Sequence, residues 1–122
     1  SRQANRITQK IQEHFHVKPD FPWKESSRNQ SYGVFRHVPS QKWFALIMDI
    51  KKGQLDKDKN NEPIDVINLK IQPDQGTALH QITGIYPAYH MNHKNWISVA
   101  LDESLADEKI MALLHTSYEL TK

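Results

Sequence analysis

The sequence predicts an α+β fold, a two-layer sandwich built from helix, antiparallel meander and helix. Three observations carry that prediction: an amphipathic helical pattern at the start, a second one at the end, and short runs rich in aromatic and β-branched residues between them. A length of 122 residues is that of one domain with one core, so residues 1–122 are read as a single domain. The chain opens on Ser1 instead of Met, as a trimmed chain or a piece of a longer protein would.

The first helix is expected over residues 4–15, where Ala4, Ile7, Ile11 and Phe15 recur three or four apart and make one apolar stripe. Arg2, Arg6 and Lys10 fall on another face and are read as solvated charge. Pro19 and Pro22 then bar helix continuation and give an extended passage anchored by Phe21 and Trp23. Residues 32–38 and 43–50 are strand candidates around the polar turn Pro39-Ser40-Gln41-Lys42, a hairpin signature. Residues 51–63 are almost wholly charged or polar and are expected to form a solvated, mobile connection. In the third strand, residues 64–71, Asp65, Ile67, Leu69 and Ile71 alternate with Ile64, Val66, Asn68 and Lys70, so the tail of the second set brings polar groups to one sheet face. Residues 73–81 read as a short helix, and residues 96–101 as a fourth strand with Ile97, Val99 and Leu101 facing one way. Ser104-Leu105-Ala106-Asp107 resembles a capping box with the serine at the cap, opening a helix that carries Ile110, Met111, Leu114 and Tyr118 at core spacing.

Composition excludes several kinds of chemistry. The absence of cysteine removes disulfides, thiolate nucleophiles and Cys-ligated metal centres, and suits a reducing cytoplasm. No apolar run approaches the roughly 20 residues needed to cross a bilayer, and no signal-peptide pattern is present, so a soluble, cytoplasmic monomer without membrane partners is expected. A formal net charge of +2 is mildly basic, a small push towards nucleic acid and no more. The seven histidines include the pairs His90/His93 and His14/His16, but neither supplies the three or four convergent ligands of a zinc site. Asp56-x-Asp58-x-Asn60 opens like a calcium loop, then has Asn61 where the loop needs glycine and Ile67 where it needs an acid. No metal and no cofactor is therefore expected. Ser26, Ser27 and Ser31 lie in a polar connection without a nucleophile elbow, and the four glycines are scattered singly, with no phosphate-cradling cluster.

The stretch from Gly84 to Trp96 is different in kind, because it gathers Tyr86, Tyr89, His90, Asn92, His93, Lys94, Asn95 and Trp96. Flat rings stack on bases, amides bond base edges, and Lys94 can neutralise a phosphate. The bland reading is that Tyr86, Met91 and Trp96 pack inward while the polar groups cap their own loop; it is preferred for Met91 and Trp96, and for His90 and Asn92 both readings stay open. Asn68 and Lys70 form a second constellation, where a basic residue at the end of a strand otherwise built for burial either holds an anion or makes a weak surface ion pair.

These residues carry a resemblance. Tyr32-Gly33-Val34-Phe35-Arg36, Lys42-Trp43-Phe44-Ala45, Val66-Ile67-Asn68-Leu69-Lys70, Pro87-Ala88-Tyr89-His90-Met91-Asn92 followed by Trp96, and Asp107-Glu108-Lys109-Ile110 leading to Ser117-Tyr118 together resemble the MmcQ/YjbR family of small bacterial proteins, over almost the whole chain. One departure stands out: the family's usual lysine after the His-x-Asn triplet and histidine before the tryptophan are here His93 and Asn95, with Lys94 a step later. The resemblance implies a CyaY-like fold, two helices on one face of an antiparallel sheet, and DNA binding in a double-wing mode in which sheet hairpins embrace the duplex. Frataxin-like iron handling is a poor fit, because the first helix carries Arg2, Arg6 and Lys10 against the single acid Glu13.

The leading expectation is a DNA-binding or regulatory domain in which Arg36, Lys42 and Lys70 meet phosphates, while Tyr89, His90, Asn92 and Lys94, with Asn68 beside them, make the more specific contacts. The alternative is a binding module for a small anionic metabolite or a protein partner. An enzyme comes third, because no activated nucleophile or acid–base pair can be named.

Overall fold

The computed structural model describes residues 1–26 and 29–122, so Ser27, one of the serines considered above, lies outside the described residues. Helix α1 spans Arg2–Phe15. It starts where the Ser1 hydroxyl accepts the Ala4 N–H at 3.2 Å, and it ends on His16 in the left-handed conformation. The expected stripe is its buried face, with Ala4, Ile7 and Ile11 inside.

Five strands follow: β1 Gly33–Arg36, β2 Trp43–Lys51, β3 Pro63–Lys70, β4 Ile85–Pro87 and β5 Trp96–Ala100. The sheet order is β1-β2-β3-β5-β4, and every neighbouring pair is antiparallel. The meander is thus broken once, because β5 inserts between β3 and β4. Strand β4 has no counterpart among the expected strands. Three residues ending in a proline carry no alternation to read, and the strand exists through its pairing of Ile85 with Val99 and Pro87 with Ile97.

Helices α1 and α4, the latter Asp107–Leu120, pack on one face of the sheet. Ile7, Ile11, Phe35, Phe44, Ile67, Leu69, Ile97, Val99, Ile110 and Leu114 are fully buried between them, each side chain contributing about 1.5–3 kcal/mol. Phe15, Phe44, His37 and Tyr118 close one end of this layer, with Tyr118 stacked on Phe15 at 4.6 Å. The opposite face is not bare. Val34, Leu46, Met48, Ile50 and Val66 make a second cluster there, under half-buried Trp23, Trp43, Tyr86, Tyr89 and Met91. The inward reading of Tyr86 and Met91 therefore holds in part.

The short helix expected over residues 73–81 forms from Pro73 to Leu79, a 3-10 turn, Pro73–Gln75, running into the single helical turn α3, Gly76–Leu79. Three expectations are corrected. Residues 51–63 are no loose connection: the chain makes one helical turn, α2 (Gly53–Asp56), with Leu55 buried, and closes through Lys52 N–H to Glu62 O and Gly53 N–H to Asn60 O. Ser104 does not cap α4; Ala106 occupies that position without a side-chain bond. The reason lies in α1, whose Gln3 amide and Arg6 guanidinium both bind the Asp107 carboxylate that the capping box would have used. Arg6 also pairs with Glu103, so it is a clamp between the two long helices and not a freely solvated charge.

Candidate functional site

Strands β2 and β3 part at one end, and Ser117 of α4 fills the gap. Beyond the Ala45–Leu69 pair, its buried hydroxyl accepts the Lys70 N–H at 2.9 Å and donates to the Phe44 carbonyl at 2.6 Å. On the other side of β2 a bulge leaves Phe44 unpaired, since Phe35 faces Ala45 but Arg36 faces Trp43. The bulge sends Phe44 to the helix layer and Trp43 to the opposite face. Lys70 lies directly across from Trp96 in the β3–β5 pair. Between them the splayed ends open a cleft of about 420 Å³, lined by Lys42, Trp43, Lys70, Trp96 and the last turn of α4 from Leu120 to Lys122.

That last turn is held in place. The Thr121 hydroxyl donates to the Ser117 carbonyl at 2.8 Å, so it accepts from His37 Nε2, also at 2.8 Å. Burial beneath Tyr118 and Phe44 lowers the His37 pKa, with Lys122 and Lys42 adding to the effect. The Lys42 ammonium reaches the Lys122 carbonyl at 3.3 Å. Lys122 in turn pairs with Glu119 at 2.8 Å, which raises its pKa. Among the described residues Lys70 has no ion-pair partner, and no carboxylate side chain lines the cleft. Three lysines and two tryptophans therefore surround a space that offers positive charge and flat apolar surface together.

Asn68, expected at a ligand surface, is interior. It has no solvent exposure, and it closes a ring of hydrogen bonds: its amide donates to the Tyr89 carbonyl at 2.9 Å, the Tyr89 N–H donates to the Ser98 hydroxyl at 2.8 Å, and that hydroxyl donates to Asn68 Oδ1. Asn68 and Ser98 are cross-strand partners, so the ring pins the start of the Tyr89 loop onto the sheet. Its function is positioning.

The pinned loop turns Tyr89 and His90 towards a second cleft of about 470 Å³, lined also by Tyr32, Asp49, Lys51 and Gln54. Gln54 of α2 donates to the Tyr89 hydroxyl at 2.7 Å, and the His90 ring lies 4.0 Å from the Tyr89 ring. His90 is exposed and left-handed at φ 61°. At the floor of this cleft, burial pushes the Tyr32 hydroxyl pKa up, with Tyr89 and Asp49 adding to it.

The remaining expected residues line neither cleft. Arg36 lies against Asp20 at 3.1 Å and over the Trp43 ring at 5.5 Å, an ion pair and cation–π contact that steady the rim. Asn92 accepts the Lys94 N–H at 2.8 Å and shapes its own turn, while the Lys94 side chain is exposed. Lys42 and Lys70 thus come together, Tyr89 and His90 come together elsewhere, and the two groups are separate. Trp43, Ser98, Ser117 and Lys122 were not expected at the site. Ser98 and Ser117 did leave a trace, as polar residues at positions where strand and helix periodicity call for burial. Among the described residues no three His, Asp or Glu side chains gather as a metal would need.

Comparison with known proteins agrees with this architecture. The chain is 34% identical over 116 residues to the uncharacterised protein YyaQ of Bacillus subtilis (strain 168), covering 95% of each. A shorter stretch, 52% of each chain, is 34% identical to the uncharacterised protein YjbR of Escherichia coli (strain K12). A crystal structure of a Pseudomonas syringae protein superposes with a TM-score of 0.89 at 38% identity, covering 97% of both chains. The Deinococcus radiodurans protein DR2400 shares the fold, with a TM-score of 0.63 at 24% identity over 96% of this chain and 74% of that one. The YjbR family matches residues 13–120, which include both clefts' strands and all of α4, and the chain belongs to that family.

Proposed function

We propose that this protein binds DNA at the end of the sheet where β2 and β3 part beside the end of α4, with the Lys42–Lys70–Trp96 cleft as the principal contact. The observation that supports it most is the meeting of Lys42, Lys70 and Lys122 with Trp43 and Trp96 around one cleft that no carboxylate side chain lines, Lys122 being also paired with Glu119 outside the lining. Phosphates supply affinity through charge, and bases add stacking energy on aromatic rings. Lys94 on the neighbouring loop adds one more exposed cation.

Three phosphate contacts predict a weak, salt-sensitive complex. Raising salt from about 50 to 200 mM then lowers affinity roughly 20- to 40-fold. Anisotropy titrations of labelled DNA at the two salt concentrations measure this directly, and Lys70→Glu weakens binding at both. No binding at the lower salt sinks the proposal. A second reading, a small anionic metabolite in the same cleft, is favoured by its volume of about 420 Å³, which lies in the range of small-molecule sites. A thermal-shift screen of anionic metabolites separates the two: stabilisation by one of them, abolished by Lys70→Gln, favours the metabolite.

A further inference from the structure

We infer that the cleft between Lys70 and the end of α4 takes one unpaired nucleotide, its base against Trp43 and Trp96 and its phosphate among Lys42, Lys70 and Lys122. This inference rests on the DNA reading above and narrows it to single strands, or to a nucleotide exposed by local opening of a duplex.

Both indole rings line the cleft and are half-buried. A base that is paired and stacked inside a duplex cannot present its face to a ring so placed; a splayed base can. The cleft volume of about 420 Å³ suits one nucleotide-sized group and not a double helix. Charge and ring alternate around the same space, because Lys70 and Trp96 are cross-strand partners and Lys42 directly precedes Trp43. That alternation matches a nucleotide, whose anion and flat ring are joined by one sugar. Lysine ammonium groups, as compact charges without a fixed fork, suit a phosphate whose orientation varies with the sequence bound. The walls are firm: Ser117 fixes the strand ends, and the Thr121–His37 bond fixes the last turn of α4.

The experiment compares a labelled oligothymidylate, its duplex with oligoadenylate, and thymidine monophosphate, at low salt, on the full chain. Anisotropy reports the polymers, and quenching of tryptophan fluorescence reports all three. The single strand is expected to bind at least about tenfold more tightly than the duplex, with quenching on binding. Trp96→Leu is expected to weaken the single strand about tenfold or more and the duplex by much less. Lys70→Gln, which leaves every ring in place, weakens both polymers and guards against a folding defect in the first variant. Equal or tighter duplex binding that is indifferent to Trp96→Leu overturns the inference while the DNA reading survives. Binding of the monophosphate, but of neither polymer, upholds an unpaired nucleotide as occupant and overturns the DNA reading. Failure of all three to bind overturns both.

Discussion

Asn68 has no exposed surface, and both ends of its amide are engaged, one by the Tyr89 carbonyl and the other by the Ser98 hydroxyl. Truncation to alanine leaves the Tyr89 carbonyl without its donor and the Ser98 hydroxyl, which still accepts the Tyr89 N–H, without its acceptor, and each such loss costs about 1–3 kcal/mol. Asn68→Ala is therefore expected to lower stability by about 2–3 kcal/mol, read from urea unfolding. Ser98→Ala orphans the Tyr89 N–H and Asn68 Oδ1 and loses about 2–3 kcal/mol. The double variant loses less than the sum, since the two changes break one ring; strict additivity would show that the ring does not act as a unit. Such loss reaches the second cleft as well, because the ring holds the residue from which His90 projects. In the sequence Asn68 and Lys70 look alike, two polar residues on one strand face. Burial separates them only when β5 and the Tyr89 loop are folded over Asn68, while Lys70 keeps the open end of the strand. Single-strand alternation cannot record that difference.

At the scale of elements, what was legible in the sequence is what repeats. The α1 stripe, the two hairpin strands and the alternation in β3 all announce themselves by period, and all form. What was not legible depends on one element meeting another: β4 needs β5, the start of α4 needs Gln3 and Arg6, and the bulge at Phe44 needs β1. The turn α2 is the sharpest case, since ten charged and polar residues in thirteen read as solvent-bound chain yet fold back on Gly53. A Cβ on Gly53 would lie 2.4 Å from the Asp58 carbonyl oxygen and 2.8 Å from that of Asn60, both backbone atoms. Gly53→Ala gains at most about 1 kcal/mol from helix propensity. It costs about 1–3 kcal/mol in forced backbone movement, and more where the turn cannot yield. Net destabilisation is expected, visible as a lower urea midpoint. A variant as stable as the parent would mean that the turn rearranges freely. Because Gln54 of this turn bonds the Tyr89 hydroxyl, Gly53→Ala also loosens the second cleft while leaving the lysine cleft intact.

Stability of the whole molecule falls on the acid side in two steps, and the signs follow from where two groups sit. His37 is buried, and desolvation lowers its pKa from the ordinary 6.5. The unfolded chain then takes up the proton more readily than the folded one, so the contribution of neutral His37 is complete above pH 6.5 and falls as pH drops below it. Asp107 is held at about 2, against an ordinary 3.8, by hydrogen bonds from Arg6 and then Gln3. Its contribution is complete above 3.8 and is lost as pH falls from there towards 2. The first step belongs to the junction of β1 with the end of α4, through Thr121; the second belongs to the junction of α1 with the start of α4. The same helix is thus released at one end before the other. Urea midpoints measured from neutral pH down to about pH 2 should show both limbs, with His37→Gln flattening the upper and Asp107→Asn the lower. A parent profile that stays level between neutral pH and about pH 5 would mean that protonated His37 is tolerated in place. The upper limb also passes through the proposed binding site, because the His37–Thr121 bond holds the wall opposite Lys70 and Trp96. Loss of that wall in mild acid weakens nucleotide binding even as His37 gains a positive charge, so affinity and stability fall together there, whereas a purely electrostatic site would bind anions more tightly.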